Sequence, residues 1–451
     1  MSLSIIGMGY VGLTTATCFA AKGQNVLGVE VNRDKLKNLK LGIPSFHEDG
    51  LNKLLLTNIG KSLHISHDLN SAILESDISF ICVGTPTIDG EIDLSFVKNC
   101  LRDILSILKN KDSFHIIVIK STVVPNSTDI VFKKIIEEEF QFKVGKDIGL
   151  CVNPEFLREG SAVDDFMNPD RVVIGTSDEL SEKKLISLYK CFPGVPVISV
   201  SNSSAELIKY TSNSFFATLI SFANEISNIS EKLYDTNIID VFEGLFADRR
   251  FSNNQKDRAK ALPGLVTYLK PGPGFGGSCF PKDVKALAAC STSLSFEPSL
   301  LNAVLKVNEF QPYNLLEHAK RLVGSLSKRK VGVLGLSFKS NSDDIRESKS
   351  IELVKLLVHE KAIVYAHDPM AMKNTRDFLK NYSVNYEEDL QKVVSKCDFV
   401  FVCVDWPEYK NLDVVVNSLN PNIFILDAKL FLDKRKYKHI AAVGDCRLAH
   451  D

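Results

Sequence analysis

The chain lacks the features that mark several large classes of protein. Its 451 residues include one tryptophan and ten cysteines, and no two cysteines form a Cys-x-x-Cys pair. The usual spacing of a zinc or iron–sulfur site is therefore missing, and we expect no metal. No apolar run reaches the roughly 18 residues that a membrane-spanning helix needs, so no membrane partner is expected.

An excess of charge of either sign is also absent. Lys and Arg total 54 against 55 Asp and Glu, which gives a net charge of −1. This balance argues against a nucleic-acid partner and against an acidic disordered chain. The first residues, MSLSIIGMGYVG, show no basic segment followed by an apolar one, so we expect no signal peptide and a cytoplasmic location.

Short apolar runs alternate with amphipathic helical patterns at both ends of the chain. The first such runs are residues 3–7, 25–30, 78–83 and 116–119. This alternation predicts parallel sheets covered by helices. Residues 205–234 carry no turn signal and predict one long helix. We therefore predict an α/β protein in which two Rossmann-like parallel-sheet domains, 1–200 and 326–451, are joined by a central helical domain, 201–325.

The first strand is followed by a glycine pattern, Gly7-Met8-Gly9-Tyr10-Val11-Gly12. It opens a predicted helix, and Glu30 closes the second strand, which is the context that a dinucleotide fingerprint requires. A carboxylate at that strand end accepts hydrogen bonds from a ribose diol, which favours NAD. Arg33 lies close enough in sequence to bind a 2′-phosphate, so NADP stays open.

Polar motifs follow three later strands of the first sheet. These are Val83-Gly84-Thr85-Pro86, Lys120-Ser121-Thr122-Val123 and the segment Asn153–Glu159, whose sequence is NPEFLRE. Ligands of parallel sheets bind at the carboxyl ends of strands, so these motifs are candidates for the site. Glu155 and Glu159 would share a face if their segment were helical, and one of them could be a general base.

Two further groups of residues point to covalent chemistry. Lys209 and Asn213 lie four residues apart on the predicted long helix, where the lysine either extends to solvent or stabilises an oxyanion. Cys279 follows Phe275-Gly276-Gly277-Ser278 and precedes Lys282 and Asp283 at a predicted helix start. A thiol in such a position tends to ionise and to act as a nucleophile, although most lone cysteines are structural.

Taken together, the motifs resemble the UDP-glucose/GDP-mannose dehydrogenase family. The motifs that carry the resemblance occur in order along nearly the whole chain: GMGYVG, VGTP, KSTV, NPEFLREG, AELIKYTSN, GFGGSCFPKD and GLSFKSNSDDIRES. The resemblance implies oxidation of the C6 alcohol of a nucleotide sugar, most simply UDP-glucose, to a carboxylate with two NAD per turnover. It also implies a homodimer or higher homo-oligomer formed through the long helix.

The same resemblance assigns residues to roles. The implied catalytic residues are Cys279, Lys209, Asn213, Glu155, Thr122 and Asp283. The implied cofactor contacts are Gly7, Gly9, Tyr10, Val11, Gly12, Glu30, Lys35, Gly84, Thr85, Pro86, Ser121, Thr122, Glu159, Lys282 and Arg346. The implied substrate contacts are Glu155, Phe156, Leu157, Lys209, Asn213, Phe275, Gly276, Gly277 and Lys339.

Three positions depart from the family pattern. Leu219 stands where many relatives carry Lys or Arg, Asn126 replaces a frequent glycine, and the segment 242–268 is long and charged. These departures leave GDP-mannose and other UDP-sugars open as substrates. Two other classes also remain: a hydroxyacid-type dehydrogenase, which leaves Cys279 without a role, and a catalytically silent nucleotide-binding protein.

Overall fold

The computed structural model describes residues 1–88, 91–251 and 264–445. Residues 252–263 of the charged segment 242–268 lie outside these ranges. The described chain divides into two compact units, residues 1–212 and 213–451. The division falls inside a single long helix, and the three-domain arrangement remains a prediction.

The first unit is built on an eight-stranded sheet. Its strands and a small hairpin (β5–β6) are β1 Ser2–Ile6, β2 Asn25–Val29, β3 Leu63–Ser66, β4 Ile78–Ile81, β5 Thr87–Ile88, β6 Glu91–Ile92, β7 His115–Ile119, β8 Ile148–Val152, β9 Val172–Thr176 and β10 Val197–Val200. The sheet order is β10-β9-β8-β7-β4-β1-β2-β3. The order reverses between β1 and β4, which is where a crevice for a ligand opens in such sheets.

Helices cover both faces of this sheet. They are α1 Tyr10–Ala21, α2 Arg33–Lys40, α3 Leu51–Asn58, α4 Leu69–Leu74, α5 Ser95–Leu108, α6 Ala162–Met167, α7 Glu179–Tyr189 and the start of α8 Asn202–Ser230, with π-helical turns at Ser127–Phe132 and Ile135–Glu139. Strands β4, β7 and β8 are buried along their whole length. Their continuous apolar sequence follows from that two-sided burial.

The sheet is parallel except where β9 meets β8, and this pair is antiparallel. The connection between β8 and β9 contains only the short helix α6 instead of a long crossover helix, and β9 enters the sheet from the edge at which β8 ended.

The second unit contains the rest of α8 and a six-stranded parallel sheet in the order β13-β12-β11-β14-β15-β16. Its strands are β11 Lys330–Leu334, β12 Ile363–His367, β13 Val384–Tyr386, β14 Phe399–Val402, β15 Phe424–Asp427 and β16 Ile440–Ala442. Its helices are α9 Ile238–Phe246, α10 Phe280–Ser293, α11 Ser299–Val323, α12 Lys349–His359, α13 Met372–Phe378, α14 Leu390–Lys396 and α15 Leu412–Leu419. Among the described residues no helix is long and apolar enough to cross a membrane.

Two of the departures from the family pattern have a structural explanation. Asn126 has a φ of 73° and precedes the first π-helical turn. Asn tolerates this left-handed conformation better than other side chains that carry a Cβ, so it can stand where glycine is frequent. Leu219 is half-buried and packs against an apolar cluster that includes Ala223, Ile238 and Phe242, a contact that an apolar side chain makes better than a charged one.

A buried polar network links three strands of the first sheet, β1, β4 and β7, near their amino-terminal ends. The Ser79 hydroxyl is 2.6 Å from the Ser4 hydroxyl and 2.7 Å from His115 Nε2. Lys111 Nζ is 3.1 Å from His115 Nδ1. Burial, reinforced by the charge of Lys111, lowers the pKa of His115 to about 3. The folded protein therefore keeps this imidazole neutral.

We expect His115 to make the first unit sensitive to acid. The unfolded imidazole binds a proton near pH 6.5 but the folded one only near pH 3, so the free energy of unfolding falls as the pH drops through that window. In His115→Gln the decrease in melting temperature between about pH 7 and about pH 5 should be smaller than in the unmodified protein. An equal decrease in both proteins would contradict this origin of the acid sensitivity.

Candidate active site

The glycine-rich turn between β1 and α1 contains two glycines at which the fold leaves no room for a side chain and one, Gly9, that faces open space. Gly7 has a φ of 92°, and a Cβ atom there would lie 3.0 Å from the Cys82 carbonyl oxygen. A Cβ on Gly12 would lie 1.8 Å from the Gly7 carbonyl oxygen. A Cβ on Gly9 would meet no atom within 4 Å, and Gly9 is the N-cap of α1 without a side-chain cap. The first N–H groups of α1 can therefore reach a phosphate.

Glu30 lies at the end of β2, beside this turn, and its carboxylate is held in place. The backbone N–H of Asn32 donates to Oε1 over 2.9 Å, and Lys35 Nζ lies 3.1 Å from Oε2. Lys35, predicted as a cofactor contact, thus contacts Glu30. An open helix start followed by a carboxylate at the next strand end fits a dinucleotide with an unmodified ribose. The residues present therefore fit NAD.

The other predicted cofactor motifs extend the same edge of the sheet. The Ser121 hydroxyl donates to the Val83 carbonyl oxygen over 2.6 Å and so links the KSTV motif to the VGTP loop. A Cβ on Gly84 would meet no atom within 4 Å, so the backbone of that loop is accessible. The Tyr10 hydroxyl donates to Glu48 over 2.6 Å, which anchors the first turn of α1. Val11, Thr122 and Thr85 are half-buried and Pro86 is exposed.

A buried ion pair connects the NPEFLRE segment to α8. Lys209 Nζ lies 2.9 Å from Glu155 Oε1, and both side chains are almost completely buried. The Leu157 N–H donates to Glu155 Oε2 over 2.6 Å. Lys209 also lies over the ring of Phe156, which Arg171 covers at 4.1 Å. Thus the structure brings together four residues assigned to the substrate: Glu155, Phe156, Leu157 and Lys209.

The helical alternative for this segment is wrong, and Glu155 and Glu159 do not share a helix face. Residues 153–158 have no regular secondary structure and 159–160 form a turn. Pro154 disfavours a helical conformation at the preceding residue, and the Glu155 carboxylate binds the N–H two residues ahead, which competes with helix formation. Glu155 is buried beside Lys209, whereas Glu159 is half-buried in the turn.

Glu155 is held as a carboxylate despite its burial. Burial by itself would raise its pKa, but the charge and hydrogen bond of Lys209, the Leu157 N–H and the charge of Lys120 outweigh that effect. Together they hold the pKa of Glu155 below its usual value. A carboxylate in this state can accept a proton from water or orient it.

In the second unit Cys279 occupies the start of a helix. It is the N-cap residue of α10, and its carbonyl oxygen accepts the N–H of Asp283 over 2.8 Å. The Ser278 hydroxyl lies 3.5 Å from its sulfur atom. The partial positive charge of a helix N-terminus favours a thiolate. The position therefore suits a nucleophile.

Three predicted site residues meet within one turn of this cysteine. Asp283 is buried; it accepts a hydrogen bond from Asn213 Nδ2 over 2.6 Å, and Lys282 Nζ lies 2.5 Å from its other oxygen. Lys209 and Asn213 therefore bind different carboxylates, Glu155 and Asp283, although they are neighbours on α8. The contact with Asp283 uses one N–H of the Asn213 amide, so the second N–H can donate to another group.

The glycines before Cys279 pack against the protein itself. A Cβ on Gly276 would lie 2.5 Å from the Glu347 carbonyl oxygen, and one on Gly277 would lie 2.8 Å from the Phe338 ring. The Gly277 N–H donates to the Arg346 carbonyl oxygen over 2.8 Å. The GFGGSC loop is therefore fixed to the segment that carries Lys339 and Arg346. Phe275 is pinned by Asn308, which bonds both its N–H and its carbonyl group.

Two buried residues of this edge were missed by the sequence analysis, namely Lys120 and Asn153. Lys120 Nζ donates to Asn153 Oδ1 over 2.8 Å, and both side chains are buried. Both stand inside motifs that were recognised, at the ends of β7 and β8. Their position directly after a buried strand is the signal that could have identified them. The motifs were instead interpreted through their hydroxyl and acidic side chains.

The unequal surroundings of Gly9 and Gly12 give a direct test of the fingerprint. Gly9→Ala should fold normally and bind NAD at least about tenfold more weakly, because the added methyl group meets only the ligand space. Gly12→Ala should lose about 1–3 kcal/mol or more of stability, because its methyl group overlaps the Gly7 carbonyl. Calorimetric titration with NAD and thermal unfolding measure the two effects. Equal behaviour of the two variants would contradict this division of roles.

Three family models cover most of the chain. The NAD binding domain of the UDP-glucose/GDP-mannose dehydrogenase family matches residues 1–193, its central domain residues 203–310 and its UDP binding domain residues 332–434. These matches confirm NAD as the cofactor and a nucleotide-binding second sheet.

Individual relatives agree over almost the full length. A UDP-glucose 6-dehydrogenase of Haloferax volcanii is 36% identical over 97% of this chain and 98% of its own. A GDP-mannose 6-dehydrogenase of Pseudomonas savastanoi pv. phaseolicola is 39% identical over 79% of this chain and 78% of its own. The solved UDP-glucose dehydrogenase of Pyrobaculum islandicum is 37% identical, with a TM-score of 0.87 over 98% of this chain and 97% of that one.

These matches confirm the resemblance, the α/β fold class and the enzymatic nature of the protein. The hydroxyacid-type and catalytically silent alternatives are not needed to explain any residue of the site. The chain belongs to the UDP-glucose/GDP-mannose dehydrogenase family and is a nucleotide-sugar dehydrogenase.

Proposed function

We propose that the protein oxidises UDP-glucose to UDP-glucuronic acid, with Cys279 as the covalent nucleophile. The observation that carries the proposal is Cys279 at the N-terminus of α10, in a loop whose glycines pack too tightly for any side chain. An alcohol dehydrogenase that stops at the aldehyde has no use for such a thiol. UDP-glucose is favoured because two relatives that are 36% and 37% identical over nearly the full length carry that name.

NAD⁺ supplies the hydride acceptor, once for each of the two oxidations. The residues that would hold it are Gly9 with the start of α1, Glu30 and the VGTP loop. The protein residues then manage protons and charge. Loss of a hydride from C6 and of a proton from its hydroxyl group gives the aldehyde, and the Cys279 thiolate adds to it. Lys209 and the Asn213 amide stabilise the oxygen that becomes negative in this addition.

Loss of the second hydride converts the hemithioacetal into a thioester on Cys279. Water then attacks the thioester carbonyl, the carbon–sulfur bond breaks, and the thiolate is restored while the sugar leaves as a carboxylate. Glu155 is the base for this water, since it remains ionised while buried. Thr122 and Asp283 are the remaining residues that we assign to handling this water.

The covalent route predicts how two variants differ. Cys279→Ser should still bind NAD and UDP-glucose but should form no adduct and no uronic acid, because an alkoxide is far less accessible than a thiolate. Glu155→Gln should stall after the second oxidation, and intact-protein mass spectrometry should show a thioester-linked sugar nucleotide. The unmodified enzyme should release two NADH per sugar. A ratio of one NADH with aldehyde as the product would refute the mechanism.

An activity assay with different nucleotide sugars tests the proposed substrate. UDP-glucose, GDP-mannose and N-acetylated UDP-sugars, offered separately with NAD, should give the highest kcat/KM for UDP-glucose. A preference for GDP-mannose would retain the chemistry and correct the substrate.

We also propose a homodimer formed through α8, as the family resemblance implies. Leu207, Phe215, Phe222 and Ile229 on this helix are each between 45% and 49% exposed. They recur at intervals of seven or eight residues and so form one apolar stripe. A stripe of this kind on a long helix fits a second copy of the same helix.

The stripe gives a prediction about assembly. The double variant Phe215→Glu/Phe222→Glu should be monomeric by light scattering coupled to gel filtration, because four charges would be buried in a two-fold interface. Phe96→Glu is the matched control, since Phe96 on α5 is 56% exposed and lies off the stripe. A dimeric double variant, or a monomeric control, would contradict the assignment.

A further inference from the structure

Lys120 is a buried lysine that the proposed mechanism does not use. It directly follows the last residue of β7 and is only 4% exposed. Its ammonium group donates to Asn153 Oδ1 over 2.8 Å and to the Asn153 carbonyl oxygen over 3.4 Å. Within the described ranges no carboxylate oxygen lies within 4.0 Å of this ammonium group. Burying a cation against neutral oxygens destabilises the fold, so stability does not explain why a lysine stands at this position.

Both polar atoms of the Asn153 side chain that receives this cation make hydrogen bonds. Its oxygen also accepts the Tyr189 hydroxyl over 2.5 Å, and its nitrogen donates to the Val173 carbonyl oxygen over 2.8 Å. Its backbone N–H donates to the Ile119 carbonyl oxygen. Asn153 is therefore fixed from β7, β9 and α7 at once, and Lys120 is the charged member of that set. Glu155 follows Asn153 by two residues.

The charges around Glu155 are unbalanced in favour of cations. Lys209 forms its ion pair, and Lys120 is a second buried cation whose charge acts on it. The other titratable groups that face the cluster are the Cys82 thiol, from the end of β4, and the Tyr10 phenol, from α1. Burial lowers the pKa of Lys120 to about 8; Cys82 and Glu155 oppose the shift and Lys209 adds to it. Lys120 is therefore still mostly protonated at neutral pH.

We propose that Lys120 is a positioning residue of the dehydrogenase, which fixes the NPEF segment through Asn153 and keeps Glu155 ionised for thioester hydrolysis. The inference rests on the role proposed above for Glu155. It adds that two buried lysines, Lys209 and Lys120, are needed at this edge of the sheet to keep the single carboxylate of Glu155 ionised. Lys209 alone neutralises the carboxylate, and the second cation biases the carboxylate against taking up a proton.

The charge of Lys120 can be separated from its volume and its hydrogen bond. Lys120→Met retains the apolar stem and removes both the donor and the charge. Lys120→Gln retains a donor for Asn153 and removes only the charge, and it remains available if the methionine variant does not fold. Lys111→Met is the matched control. Lys111 also donates to backbone carbonyl oxygens of the first unit, those of Ile73 and Ser76, but at the opposite end of the strands.

The decisive measurement is the pH dependence of thioester hydrolysis, followed by acid quench and mass spectrometry alongside kcat. Without the Lys120 charge the pKa of Glu155 rises, so the acidic limb of kcat should move to higher pH in both Lys120 variants. On that limb kcat should fall about tenfold for each pH unit by which the pKa of Glu155 rises, with the thioester accumulating. At alkaline pH Lys120→Gln should regain much of its rate. The Lys111 control should melt earlier but keep the pH profile of the unmodified enzyme.

Two results would overturn the proposal. One is a uniform loss of kcat in both Lys120 variants with the acidic limb unmoved, which is what a merely structural lysine predicts. The other is full activity of both variants. Failure of the underlying mechanism is recognised separately, because then the unmodified enzyme itself forms no thioester and releases one NADH per sugar.

Discussion

The buried ion pair between Lys209 and Glu155 is the interaction on which the candidate site residues of the first unit depend. Taking two charges out of water costs several kcal/mol per ion, and an apolar pair of similar volume often stabilises a protein as well or better. Removing only one partner, by contrast, leaves a buried charge and costs about 3–5 kcal/mol. The pair therefore makes the fold vulnerable without making it especially stable. Its presence is better explained by the chemistry assigned to these two residues.

The second unit solves a related problem around Cys279. A helix start favours the thiolate form of a cysteine, and the role proposed for Cys279 requires that its loop be held in place. The loop is fixed by glycines that pack against Phe338 and Glu347, and by Asn308, which bonds both sides of Phe275. Asp283 satisfies Asn213 and Lys282 one turn later. Small residues here serve close packing, and the packing holds the cysteine in place.

The two sheets share one local design, and they differ in what remains open. In each sheet a glycine with a φ near 90° follows the central strand, and its N–H donates to the carbonyl oxygen that ends the next strand: Gly7 to Val29, and Gly335 to His367, each over 2.9 Å. In the second sheet the following N–H groups of Leu336 and Ser337 donate to Asp368. That turn is closed by its own acid, whereas the turn at Gly9 is left open for a ligand.

The sequence by itself determined the order of strands and helices, the glycine fingerprint with Glu30, and the motifs that hold Cys279, Lys209 and Glu155. Those features depend on local periodicity and on residue types at fixed spacing, which a linear chain displays directly. Only the tertiary structure decided that β9 runs antiparallel to β8, and that residues 153–158 form no helix. It alone paired Lys209 with Glu155, Asn213 with Asp283, and Lys120 with Asn153. These partners lie 33 to 70 residues apart, and a buried polar group takes whichever partner the packing of distant elements brings within reach.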